Sequence, residues 1–247
     1  MGNFSYSEYY LNIIKMYCKK PTEELRILDY GCGSGWLTEE LASKNCKVKG
    51  YDLFSRWKEE YAHAHPDRYS SAHASPQSSD IRTSWKDFKL PYEDRAFDVV
   101  ITSQVLEHLE NIEVVLAELA RVSDRGGVGI HTFPTWLRIL EAHTDIPFAQ
   151  YIPWLPYWRF MARLGFRRAT PPADSADSYA RERFSNVLWQ IHYRPTRKIL
   201  SAARNFFSRA FMNNAAYSRI ENPSFFEKMV CDLRCTFFKS VMMITIK

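Results

Sequence analysis

The first residues able to do chemistry in this chain are Asp29-Tyr30-Gly31-Cys32-Gly33-Ser34-Gly35, followed about twenty residues later by Asp52. Three glycines on alternate positions permit positive φ and let a ligand lie against bare main chain. An acid at Asp52, closing a short apolar run, is placed to accept both hydroxyls of a ribose. The glycine spacing departs from G-x-G-x-x-G, whose third glycine serves helix packing over a pyrophosphate. The carboxylate at Asp29 repels a pyrophosphate and suits a cationic amino-acid tail. The chemistry implied is the cradling of a nucleoside that carries such a tail.

Holding these groups requires a strand at residues 25–28, a tight turn, and a helix at 37–43 whose unpaired N–H groups face the ligand. Residues 48–52 form a second strand. Before them, Tyr6, Tyr9, Tyr10, Ile13, Ile14 and Tyr17 recur at helical spacing over 4–18. Downstream, residues 53–64 read as a helix, 65–80 as a polar surface loop, and 81–85 as the third strand. The uninterrupted apolar run at 97–102 is a buried parallel strand. Asn111 is placed to cap a helix whose face is Ile112, Val115, Leu116, Leu119 and Val122. Residues 126–132 make a fifth strand, 196–207 a helix, 223–230 a short helix and 236–246 the last strand.

The glycine segment resembles the S-adenosylmethionine (SAM) loop of the class I methyltransferases, and the likeness continues in order. Lys89-Leu90-Pro91-Tyr92, Ala96-Phe97-Asp98-Val99-Val100-Ile101, Val105-Leu106-Glu107-His108-Leu109 and Arg121-Val122 to Gly126-Gly127 match that family's successive blocks over roughly residues 25–133. The resemblance implies a doubly wound α/β fold with a seven-stranded, mostly parallel, Rossmann-like sheet. It implies SAM as cofactor, held by Asp29, Gly31, Gly33, Gly35, Asp52, Leu53, Trp85, Asp87 and Ser103. The expected organisation is a leading helix and SAM-binding core at 1–133, an aromatic-rich acceptor-binding insertion or lid after strand 5 at 134–195, and a C-terminal part at 196–247 that completes the sheet.

At 247 residues and 46% apolar, the chain can bury a substantial core. It has no apolar run of membrane-spanning length and no signal-peptide pattern, so a cytoplasmic location is expected. Its five cysteines are read as buried thiols, Cys231-x-x-x-Cys235 included, and His63, His65 and His73 are not read as metal ligands. The net charge of +5 is uneven: residues 151–247 hold 16 Lys/Arg against 6 Asp/Glu. That basic part predicts an anionic partner, a membrane surface among the candidates, without nucleic acid.

Methyl transfer to oxygen needs a base for the hydroxyl proton, and histidine suits that task near neutral pH. The candidates are His108 beside Glu107, His131 in the fifth strand, and His143 with Glu141 two residues before it. Glu107 either orients His108 or, as in some related oxygen methyltransferases, binds a divalent ion that grips adjacent hydroxyls; the metal-free reading is preferred. The stretch from Leu140 to Pro156 is similar to methyltransferases associated with bacterial surface polysaccharides. The acceptor expected is therefore a saccharide, an acidic sugar of a lipopolysaccharide or capsule, met by Glu141, Tyr151, Trp154, Tyr193, Arg194 and Arg197. A lipid, quinone or natural-product hydroxyl is the alternative. A nucleic-acid methyltransferase, an inert SAM-binding module and an NAD-dependent dehydrogenase rank below both.

Overall fold

The computed structural model describes residues 5–73, 88–168, 175–217 and 223–247. Seven strands form one sheet: β1 (Arg26–Tyr30), β2 (Lys47–Phe54), β3 (Tyr69–His73), β4 (Phe97–Ser103), β5 (Ser123–Pro134), β6 (Arg209–Met212) and β7 (Ser240–Ile246). Their order is β3-β2-β1-β4-β5-β7-β6. β1 to β5 are parallel, and β7 runs antiparallel to both its neighbours. The winding reverses between β1 and β4, and the crevice at the carboxyl ends of those strands is where such a sheet binds ligands.

Helices cover both faces, which is why β1 and β4 read as continuous apolar runs. On one face α4 (Ile112–Val122) and α7 (Thr196–Arg204) bury Leu116, Leu119, Ile199 and Ala203 against Val100 and Met243. On the other, α1 (Tyr6–Tyr17), α2 (Trp36–Ser43) and α8 (Asn214–Tyr217) bury Tyr10, Ile14, Leu41 and Ala216 against Ile27, Val99 and Ile130. A short α3 (Glu59–Ala64) follows β2. At the amino ends of β1 and β4, Asp98 accepts from Lys20, from the Arg26 side chain and from the Arg26 backbone N–H. Burial alone would raise the Asp98 pKa, but the bonds from Arg26 and Lys20 prevail and hold it at about 2.

Several boundaries differ from expectation: β2 runs to Phe54 and α3 is confined to Glu59–Ala64 where a helix over 53–64 was expected, and β5 spans Ser123–Pro134 rather than 126–132. β3 lies at Tyr69–His73, pairing with Gly50 to Phe54, where a surface loop was expected. Residues 81–85 lie outside the described residues. The strand is polar in sequence, and Tyr69 gives it its anchor: a Cβ on Gly35 or Gly50 would collide with that ring, and its hydroxyl donates to Glu39 at 2.7 Å. The last strand begins at Ser240 because α9 (Phe225–Phe238) extends through residues 236–238. A reciprocal bond pair between Ser224 and Glu227 starts that helix. Asn111 stands at the start of α4 without a side-chain cap bond.

After β5 the chain makes a tight turn closed by a Leu140–Pro147 bridge, then α5 (Leu155–Arg163) and α6 (Ala176–Gln190). These two helices have a small core of their own around Ile146, Trp158, Tyr179 and Val187. No helix among the described residues is long and apolar enough to cross a membrane.

Candidate active site

The loop after β1 is shaped by backbone. Gly31, Gly33 and Gly35 sit at φ +77°, +51° and +80°, a region costing other residues about 1–2 kcal/mol. The Gly31 and Cys32 N–H groups donate to the Tyr51 carbonyl at 2.7 and 3.1 Å, and the Gly33 N–H donates to Asp52 Oδ2 at 2.9 Å. A Cβ on Gly31 would stand 2.4 Å from Val105 Cγ2, whereas one on Gly33 would meet nothing within 4 Å. Gly31 is thus needed for packing, and Gly33 fronts open space. Asp52 Oδ1 also accepts the Phe54 N–H, and Leu53 between them is half-buried.

Asp29 is not at the surface of this cradle. It is buried and accepts the Thr38 hydroxyl at 2.7 Å, tying β1 to α2. Burial pushes its pKa up to about 6 against that bond. At the mouth, Tyr6 of α1 meets Trp36 of α2 edge to face, 5.0 Å between ring centres. Ser103 ends β4, half-buried, within 3.5 Å of the Thr132 hydroxyl. Trp85 and Asp87 lie outside the described residues.

Beyond β4 the geometry turns from backbone to side chains. Gln104, at φ +57°, donates its N–H to the Thr132 carbonyl and its side-chain amide to Ser240. That fixes the turn that lays Val105 against Gly31 and drives Glu107 inward to 3% exposure. Neither Glu107 carboxylate oxygen finds a hydrogen-bond partner on another described residue. Burial, reinforced by the charge of Glu141, pushes its pKa up to about 8.

Opposite stands the turn of the insertion. Glu141 is fully buried, and it accepts from His143 Nδ1 at 2.8 Å, from the His143 backbone N–H at 2.9 Å and from the Tyr193 hydroxyl. Burial alone would raise the Glu141 pKa, but these bonds hold it at about 2, while burial and that charge raise Tyr193. The His108 and His143 rings meet edge to face, 5.1 Å between centres. His108 Nδ1 faces the Gln190 carbonyl at 3.3 Å, and its dry inner side and then His143 lower its pKa although its outer edge is open. The structure therefore gathers Glu107, His108, Glu141, His143 and Tyr193 from three distant parts of the chain.

Other expected residues fall elsewhere. His131 is fully buried inside the sheet, bonded to the Thr102 and Thr245 hydroxyls at 3.0 and 3.1 Å, and burial lowers its pKa to about 3. β5 continues three residues past it, so it cannot reach an acceptor at the strand's end. The Arg194 guanidinium is spent on the His192 and Glu110 carbonyls and grips no acid. Tyr193, expected to bind an acidic group, holds Glu141 instead. Tyr151 donates to the Trp136 carbonyl, Trp154 precedes α5 on the outer surface, and Arg197 is exposed in the first turn of α7. Thr38 and Tyr69 gave no signal in the sequence, where only their partners Asp29 and Gly35 stood out; Val105 lay in a matched block, but its packing on Gly31 was not legible.

Residues 28–130 match the family described as a methyltransferase domain. The chain is similar to a ubiquinone biosynthesis O-methyltransferase of Maricaulis maris, 33% identical over 114 residues, 45% of this chain and 41% of that protein. It is likewise similar to one of Agrobacterium fabrum, 32% identical over 141 residues, 56% and 52% of the two chains. The chain thus spans 41–52% of the length of these curated relatives. Among solved structures it is similar to a SAM-dependent methyltransferase from Mesorhizobium loti (TM-score 0.53, 15% identity, covering 97% and 98% of the chains). It is also similar to a phosphoethanolamine N-methyltransferase 2 of Haemonchus contortus (TM-score 0.54, 16% identity, covering 100% and 54%). These share the fold. The expectation of an anionic saccharide acceptor from a lipopolysaccharide or capsule is overturned, because the curated relatives are named for ubiquinone biosynthesis.

Proposed function

We propose, from the premise that this chain belongs to the class I SAM-dependent methyltransferases, that it methylates a hydroxyl on a quinone-type aromatic ring. One observation carries the reading. A buried carboxylate, Glu107, faces two histidines directly beyond the residue, Val105, that packs on the glycine loop. Cofactor cradle and polar cluster therefore share one edge of the sheet, as an in-line displacement requires. The names of the similar proteins support the aromatic acceptor over a sugar.

The residues present fit the cofactor: Gly33 fronts open space where a Cβ would intrude, and Asp52 stands beside it as a hydroxyl acceptor. When bound there, SAM supplies a methyl group on a sulfonium. Gly31 to Gly35 and Asp52 hold the nucleoside, and Tyr6 and Trp36 limit water at the mouth. Glu107, His108 and His143 receive the acceptor hydroxyl, and Glu141 with Tyr193 fixes the His143 ring. Positioning of this kind is worth up to about 7–11 kcal/mol. Residues 134–195 act as the acceptor-binding part, 1–133 as the cofactor core and 196–247 as its completion. The unbridged cysteines suit the cytoplasm.

The test is mass spectrometry of hydroxylated quinone precursors and simple catechols incubated with SAM and the full chain. A mass gain of one methyl on oxygen is the expected result. Cofactor binding with no transfer to any such ring contradicts the reading and leaves an inert module.

A further inference from the structure

We infer that the outward face of α9 pairs antiparallel with the same helix of a second copy of this chain, across a two-fold axis near Val230 and Cys231. The inward side of α9 buries Cys231 and Cys235, the latter in the core that holds Val241 and Met243. The opposite side of the same helix is apolar too. Phe226, Met229, Val230 and Leu233 recur there at i, i+3, i+4 and i+7, and all four are exposed, Phe226 at 66% and Leu233 at 53%. A helix apolar on one side lies on a core, whereas one apolar on two opposite sides is covered on both.

The size of this stripe fits a second copy. With side chains of about 200 Å² each, Phe226 and Phe225, the latter 85% exposed, alone offer about 300 Å². Met229, Val230 and Leu233 carry the stripe toward the upper end of what a typical monomer leaves open, about 300–600 Å². Trp136 and Leu137, also exposed, adjoin the last turn of α9, because the Thr135 hydroxyl donates to the Thr236 carbonyl and the Ile139 N–H to the Phe237 carbonyl. With its charged flanks, the face approaches the area of about 800 Å² per partner that a standard interface buries.

Charge sets the direction and the register. Glu227 and Arg234 lie two turns apart on one flank of the stripe, and both are exposed. Glu227 Oε2 accepts from the Ser224 N–H and hydroxyl at the helix start, and Arg234 has no ion pair or hydrogen bond among the described residues. In a two-fold pair, residue i of one copy meets j of the other while j meets i. Antiparallel pairing centred near Val230 therefore sets each Glu227 opposite the Arg234 of the second copy, twice over, and brings Phe226 to Leu233. A parallel pair would form neither contact. The flanks carry both signs, Glu227 and Asp232 with Lys228 and Arg234, which suits a copy of the same helix better than an anionic lipid surface.

The test is sedimentation velocity of the full chain across the micromolar range, with flotation on phosphatidylcholine–phosphatidylglycerol vesicles alongside. Calorimetry with S-adenosylhomocysteine checks the fold of every variant, and binding should be unchanged because none of the substituted residues touches the cofactor cradle. The parent should be a dimer. Leu233→Asp should weaken it by at least about 100-fold. Arg234→Glu or Glu227→Arg alone should weaken it by at least about 10-fold, since each creates two like-charge contacts. Mixing Arg234→Glu with an equal amount of Glu227→Arg should recover a mixed dimer, in which both contacts again join opposite charges. A monomeric parent, or a dimer that Leu233→Asp leaves unchanged, overturns the surface. A dimer indifferent to the charge substitutions, or a mixture that stays monomeric, overturns the antiparallel pairing. A monomeric parent that floats with the vesicles, and no longer does so as Leu233→Asp, overturns the second copy and gives the stripe to a lipid surface. None of these outcomes depends on which acceptor is methylated.

Discussion

The two ends of the crevice proposed as the catalytic site, one for the nucleoside and one for the acceptor, are made of different material. The nucleoside end is main chain: three glycines at positive φ, N–H groups given to Tyr51 and Asp52, and a contact with Val105 that admits no side chain at Gly31. The acceptor end is side chains, Glu107, His108, Glu141, His143 and Tyr193, brought together by a turn after β4, a turn of the insertion and the segment after α6. The difference teaches how each tolerates change. The first is broken by adding an atom, the second by removing one.

The largest effect should come from Gly31→Val. It combines left-handed backbone with a 2.4 Å collision, so thermal unfolding should show a loss of several kcal/mol, more than about 4. Gly33→Ala meets no neighbour and should cost only about 1–2 kcal/mol of strain while still obstructing the cradle. Equal destabilisation by Gly31→Ala and Gly33→Ala would erase the distinction drawn between them.

At the other end, Glu141→Ala frees His143 and strands Tyr193. Turnover should fall by about 10²–10⁴-fold with S-adenosylhomocysteine affinity unchanged, read by kinetics and calorimetry on the same preparation. A matching loss of cofactor affinity would mean the two ends are one unit.

His131 separates burial from function. His131→Ala should cost about 2–4 kcal/mol through the cavity it leaves, with turnover per folded molecule unchanged. Its pKa is about 3 in the folded chain, against 6.5 for the free side chain. The unfolded chain therefore binds the extra proton first, and stability should fall as pH drops from about 6.5 toward 3. Urea unfolding across that range should show a shallower slope in His131→Ala than in the parent. The smallest effect is expected at Trp154, 62% exposed and outside the cluster: Trp154→Ala should shift stability by less than about 0.5 kcal/mol.

The same contrast explains what could be read in advance. Glycine spacing and the acids at 29 and 52 are local signals, and they marked the cofactor end and the doubly wound sheet. Asp29 was legible as important, but its service to Thr38 was not, because the partner is an ordinary helix residue. At the acceptor end the residue types were visible and their grouping was not. Nothing local joins Tyr193 to Glu141, fifty-two residues apart, or shows that β5 runs on past His131. β3 was missed because Tyr-Ser-Ser-Ala-His is polar and held by one ring. The start of α9 was legible in Ser224-Phe225-Phe226-Glu227, a capping pattern that an apolar strand-like run after residue 236 obscured. The acceptor could not be read from the aromatic insertion, since aromatic faces serve sugars and quinones alike.

The Glu107–His108–His143 cluster is proposed as the acceptor end of a methyltransferase site. Its most direct test is methyl transfer from SAM to a quinone-type hydroxyl by the parent chain and by His143→Ala, each shown to bind S-adenosylhomocysteine equally well. A methylated product from the parent, formed at least about 100-fold more slowly by the variant, is the predicted result. Equal rates from the two proteins would contradict it.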